Sequence, residues 1–177
     1  MTRVTCTDYS PEMCQSQEVA DVPEFLARHR PPWCRVRWID VVGLEQSDTI
    51  RALAEKYQLH PLAVDDVFHL VQRPKAEDYP ASGDQPGRLF VVARAVDPED
   101  GRVRTEQVSF FLGRTTLLTF QEAPGDIFEP VRHRVANRGS RLRENDASFL
   151  LYSLLDAVVA HLRSRERTRT DPLHRAQ

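Results

Sequence analysis

Asp65 and Asp66 stand side by side, with His69 four and three residues further on, and their types and spacing are the first in this chain to suggest chemistry. Adjacent carboxylates repel each other unless water or a cation intervenes, so the pair suits a hard cation such as Mg2+. The same residues equally suit a solvated helix face on which Asp65 and His69 form an i,i+4 pair. An Asp-x-x-x-His zinc site would need a third ligand that the sequence does not identify. Asp156 is a third carboxylate, and it interrupts the apolar run from Phe149 to Leu162. On a helix buried over most of its surface, that charge needs a hydrogen bond, an arginine or a metal. The pattern leaves a partnered structural carboxylate and a metal ligand equally open. Ser148, Tyr152 and Asp156 recur every four residues as one narrow polar stripe. His60, just before Pro61, reads as a helix-start residue.

Catalytic signatures are absent: there is no G-x-S-x-G, H-E-x-x-H, P-loop or G-x-G-x-x-G. A metal-dependent hydrolase using Asp65, Asp66 and Asp156 would lack any nucleophile or base set converging on them. The expected protein is not an enzyme.

The elements that must position these aspartates follow from periodicity. Val22–His29 reads as a helical piece ended by Pro31-Pro32, and Cys34–Val42 alternates as a strand with one better face. Ser47 is placed to cap a helix with Ile50, Leu53, Ala54 and Tyr57 on one side. A second helix opens at Pro61, carries the acidic pair and runs to about Val71. Residues 79–87 form a loop by composition. Leu89–Val96 reads as a strand covered on both faces, and Asp97–Gly101 as a turn. Gln107–Leu112 and Thr115–Phe120 flank Gly113-Arg114, read as a type II′ hairpin. Asp126 with Glu129 reads as a capping box for a helix that Gly139 stops. The last helix starts near Asp146 and is apolar over most of its circumference. Strands interleaved with helices give a mixed sheet sandwiched between helices, in the α/β or α+β class.

Composition agrees with one domain: 177 residues, 41% hydrophobic and 28% charged, with a net charge of −2. The five arginines of residues 163–177 face only Glu166 and Asp171, which leaves the body acidic. This basic tail is expected to be disordered beyond a domain spanning 1–162, and without interleaved aromatics it carries no nucleic-acid signature. Cys6, Cys14 and Cys34 are an odd number without C-x-x-C spacing, which points to a reduced, cytoplasmic setting. The Phe149–Leu162 run is shorter than the ~20 residues needed to cross a bilayer, so no direct membrane insertion is expected.

Seven runs occur in order: WIDVVGL (38–44), HPLAVDDV (60–67), QRPKAEDY (72–79), RLFVVARAV (88–96), EQVSFFLG (106–113), FQEAPGDIFEPVRHRV (120–135) and ASFLLYSLLDAVV (147–159). Together they resemble the N-terminal cytosolic domain of CorA-type magnesium and cobalt transporters, over about residues 33–160. The resemblance implies a regulatory domain that senses intracellular Mg2+, or Co2+, bound between neighbouring subunits of a homopentamer. It assigns the metal-ligand role to Asp65, Asp66 and Asp156, with Asp65 standing where a Glu is usual.

The family's stalk helix, its two membrane helices and its Gly-Met-Asn pore signature have no counterpart in these residues. The resemblance therefore implies weak metal binding, a monomer or weak oligomer for the isolated chain, and no ion conduction by it. The alternative within the family is a truncated soluble homologue that has lost sensing. The loop near 80–86 looks like a short insertion.

Overall fold

Side chains alternate sides along a strand, so a strand buried along its whole length must be covered from both faces. Val36–Val42 is such a strand: all seven residues are buried, and it lies inside the sheet with a neighbour on each side. The computed structural model describes residues 2–99, 102–122, 125 and 127–169. In chain order its elements are β1 (Arg3–Tyr9), β2 (Cys14–Glu18), α1 (Val22–Ala27), β3 (Val36–Val42), α2 (Ser47–Lys56), α3 (Pro61–Phe68), β4 (Lys75–Tyr79), β5 (Arg88–Glu99), β6 (Arg102–Leu112), β7 (Thr116–Gln121), α4 (Glu129–Ala136), α5 (Arg141–Glu144) and α6 (Ala147–Arg169). The strands make one sheet in the order β2-β1-β3-β7-β6-β5-β4. Only β3 and β7 run parallel; every other neighbouring pair is antiparallel. The fold is α+β, with a mixed sheet between helices.

Two cores follow from the alternation. Val36, Trp38, Phe110 and Leu117 pack against Phe128, Val131 and Val135 around α4, Leu142 of α5, and Leu150, Leu154 and Val158 of α6. Ile39, Val41, Phe111, Leu118 and Phe120 face the other way and pack against Phe25 of α1, Ile50 and Leu53 of α2, and Val64 and Val67 of α3. The expectation of one better face on β3 is corrected here, because helices cover both.

A buried polar cluster ties the two parallel strands to α4. Asp40, 2% exposed, accepts from Thr119 Oγ1 at 2.5 Å, from Gln121 Nε2 at 2.8 Å and from Arg132 Nη2 at 2.9 Å. Trp38 Nε1 donates to Thr119 Oγ1 at 3.0 Å, and the Arg132 guanidinium lies 5.1 Å from the Trp38 ring centre. Every acceptor on Asp40 is thus occupied by a donor from β7 or α4, as burial of a charge requires. A second buried pair, Arg37 on Asp8, joins β3 to β1 through two bonds of 2.7 and 2.6 Å.

Several boundaries differ from expectation. Gln46, without a side-chain bond, holds the cap position of α2, and Ser47 is its first helical residue. α3 stops at Phe68 rather than near Val71. Phe128 caps α4, while Asp126, the expected capping-box residue, lies outside the described residues. β5 and β6 extend through the expected turn as far as Glu99 and Arg102. At the β6–β7 hairpin, Gly113 N–H donates to Thr116 O, so Arg114 and Thr115 occupy the turn and Gly113 lies just past the end of β6. Gly113 is not in the left-handed region; a Cβ there would overlap the Arg88 guanidinium, so a larger residue requires that side chain to shift. Finally, α6 continues as one helix to Arg169, through the first residues of the basic tail.

Candidate functional site

Residues adjacent on a helix point about 100° apart, and this separates the two aspartates of α3. With Ala63, Val64 and Val67 turned into the core, Asp66 is drawn toward the sheet edge and Asp65 toward solvent. The Asp66 carboxylate accepts from Gln72 Nε2 at 2.7 Å and from Lys75 Nζ at 2.6 Å. Lys75 also reaches Glu77 Oε1 at 2.9 Å, and Tyr79 donates to the other oxygen of Glu77 at 2.9 Å. Hydrogen bonds to Asp66 first, then to Glu77, push the Lys75 pKa up; the bonds from Lys75 and Tyr79 hold Glu77 down.

The backbone of α3 is tied as well. Gln107 Nε2 donates to the Asp66 carbonyl at 2.9 Å, and Gln72 N–H donates to Gln107 Oε1 at 3.3 Å. Sequence reasoning missed Lys75, Gln72 and Gln107, although QRPKAEDY does carry both a charge and an amide within reach of the acidic pair.

Asp65 is exposed, and no partner holds its carboxylate among the described residues. The His69 ring lies 2.7 Å from the Asp65 carbonyl, so the expected Asp65–His69 side-chain pair is replaced by a bond to the backbone at the helix end. Leu62, one turn before Asp65 and on the same open side, is 64% exposed.

Asp156 overturns the premise of a buried carboxylate. Ala147, Leu150, Leu151, Leu154 and Val158 face the sheet, while Ser148, Tyr152 and Asp156 all face solvent. The sheet covers only one side of α6, so the polar stripe falls on the uncovered side and Asp156 needs no internal partner. Large apolar side chains share that open face: Tyr152 is 64% exposed and Val159 52%.

The three aspartates are therefore not gathered within one chain. Asp65 and Asp66 lie on the α2–α3 side of the sheet and Asp156 on the α4–α6 side. Among the described residues, no three His, Cys, Asp or Glu side chains are grouped so as to hold a metal ion. No described helix is long and apolar enough to cross a membrane.

Residues 34–173 match the family described as "CorA-like Mg2+ transporter protein". The match runs on past residue 160 into the basic tail, further than the sequence resemblance reached. The chain is 35% identical over 124 residues to the "Cobalt/magnesium transport protein CorA" of Thermotoga maritima, covering 69% of this chain and 34% of the relative. It thus spans about a third of that relative's length. Among solved structures, full-length CmaX superposes with a TM-score of 0.69 at 12% identity, over 92% of this chain and 47% of that one. The soluble domain of CorA from Methanocaldococcus jannaschii superposes with a TM-score of 0.60 at 15% identity, over 89% and 56%.

Proposed function

Since the chain belongs to the CorA-like Mg2+ transporter family, we propose that it is a regulatory, divalent-cation-sensing domain that binds Mg2+ or Co2+ between neighbouring copies of itself. The observation that carries this reading is the placement of the carboxylates. Asp65 and Asp66 on one side of the sheet and Asp156 on the other cannot share an ion within a chain. They can share one across a contact in which the α3 side of one copy meets the α6 side of the next. A contact between two different faces is head-to-tail, the kind that closes into a ring, in keeping with the homopentamer the resemblance implies. Exposed Leu62 beside Asp65, and Tyr152 and Val159 beside Asp156, supply apolar area for that contact.

Chemically the residues suit Mg2+. The ion keeps several waters and takes one or two carboxylates, so exposed Asp65 and Asp156 are adequate anchors. Asp66 joins them only by releasing Lys75. Binding to the folded state adds about 1.4 kcal/mol at tenfold excess over Kd, a rise of about 3–6 °C in melting temperature for a domain of this size.

The test is sedimentation and thermal melting with and without millimolar Mg2+, against matched sodium. We expect a mainly monomeric chain that associates weakly and melts higher in Mg2+. Asp156→Ala and the double variant Asp65→Ala/Asp66→Ala should each abolish both responses while still melting cooperatively. Wild-type responses in both variants would overturn the reading.

A further inference from the structure

The junction of α2 and α3 faces the loop between β4 and β5 across a cavity of about 270 Å3. Its polar lining is Gln58, His60, Tyr79, Ser82, Gln85 and Arg88, and no Asp or Glu lines it. The Tyr79 hydroxyl is committed to Glu77. The remaining groups include one fixed cation and several donors, with no negative charge to balance them.

Arg88 is the centre of the imbalance. Its Nε and Nη2 both donate to a single carbonyl, that of Tyr57, at 3.2 and 2.8 Å. A guanidinium has five N–H donors, so these two bonds leave three without an acceptor, although Nη1 packs over Gly113. Arg37 and Arg132 each pair with a carboxylate, Asp8 and Asp40. Arg88 has none among the described residues, and burial is the main influence on it, pulling its pKa down. A half-buried charge without a counter-ion is costly, and an anion relieves the cost.

His60 shapes the cavity rather than charging it. Its ring is stacked on Tyr79 with centroids 4.2 Å apart, which fixes a flat aromatic wall on one side of the cavity; its Nδ1 is buried away from that space. The outer wall is ordered too: the backbones of Ser82 and Gln85 exchange two hydrogen bonds of 3.1 and 3.0 Å across a tight turn. Gly83 makes that turn at φ +58°, a conformation other residues rarely adopt.

We propose that this cavity binds a phosphate group, free or carried on a small molecule. Arg88 supplies the charge, Gln58, Ser82 and Gln85 supply directional donors, and the His60 ring forms a wall beside them. The volume admits a phosphate and a short substituent. With the Nε–Nη2 edge held by the Tyr57 carbonyl, Arg88 offers phosphate its charge and a remaining charge-assisted N–H bond.

The experiment is melting and titration of the full chain with inorganic phosphate and with glycerol phosphate, against chloride at matched ionic strength. EDTA is present throughout, so the outcome is independent of the Mg2+ reading. Saturable stabilisation by either probe, accompanied by movement of the His60 ring 15N signal, is the expected result; the stronger probe identifies the free or the esterified form. Arg88→Gln should weaken binding at least tenfold. The double variant Ser82→Ala/Gln85→Ala alters only the outer loop, folds regardless of the core, and should weaken it severalfold. No saturable response up to about 50 mM phosphate, far above typical metabolite-binding constants of 1 μM to 1 mM, would overturn the proposal. So would wild-type affinity in the loop variant together with an unmoved His60 signal.

Discussion

Lys75 Nζ sits 2.6 Å from Asp66 Oδ2, so the carboxylate of the acidic pair nearest the sheet already holds a cation that the chain itself provides. The pair is partly exposed, at 27% and 20%, and is worth about 1 kcal/mol at most after solvent screening. A divalent ion reaching Asp66 must displace it.

Replacing that internal cation is therefore expected to favour metal. Lys75→Met leaves Asp66 with Gln72 alone, and the Mg2+ concentration giving half the thermal stabilisation should fall about fivefold, the equivalent of 1 kcal/mol. An unchanged or higher midpoint would show that Asp66 takes no part in binding.

The Asp40 cluster predicts stability rather than binding. Asp40→Ala removes the buried carboxylate from Arg132 and takes the main acceptor from Thr119 and Gln121. Loss of one partner from a buried pair costs about 3–5 kcal/mol. Urea unfolding measures it, and a loss below about 1 kcal/mol would mean that water replaces the carboxylate. Asp40→Asn keeps an acceptor for Thr119 and should cost less.

Alkali tests the thiols beside Asp8. Cys34 Sγ lies 3.3 Å and Cys6 Sγ 3.8 Å from the same Asp8 oxygen. Burial first, and then the Asp8 charge, pushes both from the ordinary 9.0 up to about 12. A pKa raised in the folded state gives stability that is present below the unfolded value and lost as pH climbs toward the folded one. Urea midpoints should therefore fall between about pH 9 and pH 12. Tyr9 and Tyr57, raised mainly by burial, and Lys75, raised by its hydrogen bonds, act in the same sense. Cys6→Ala should accordingly flatten the decline without removing it. An identical slope would place the loss elsewhere.

Most of the architecture was legible because the chain punctuates it. Pro61 opens α3, Asp146 accepts from the Ser148 and Phe149 N–H groups at the start of α6, and the 3.6-residue pattern of Ile50 and Leu53 marks the buried side of α2. β4 was not legible. Lys75–Tyr79 is a charged edge strand whose pairing with β5 replaces the burial that would have shown in its pattern. Asp156 failed for a related reason. An apolar helix with a polar stripe reads as buried all round, yet the stripe's side is open when only one sheet packs against the helix. The acidic pair was visible as residues. Its separation into a free Asp65 and a Lys75-bound Asp66 depends on where the β4 edge passes, which no local pattern encodes.

The parallel pairing of β3 with β7 places Asp40 opposite Thr119, 79 residues further on, and this sets an order in time. The hairpins of β4, β5, β6 and β7 close between near neighbours, whereas β3 has no partner on that side until β7 exists. At 5–20 residues per second, a ribosome takes roughly 4–15 s to bridge the gap. During that interval the apolar β3, with β1 and β2 attached, waits as an open edge. The domain's exposure to chaperones and to wrong strand partners is therefore greatest between the synthesis of Val42 and the arrival of the Thr116–Gln121 segment, which ends it.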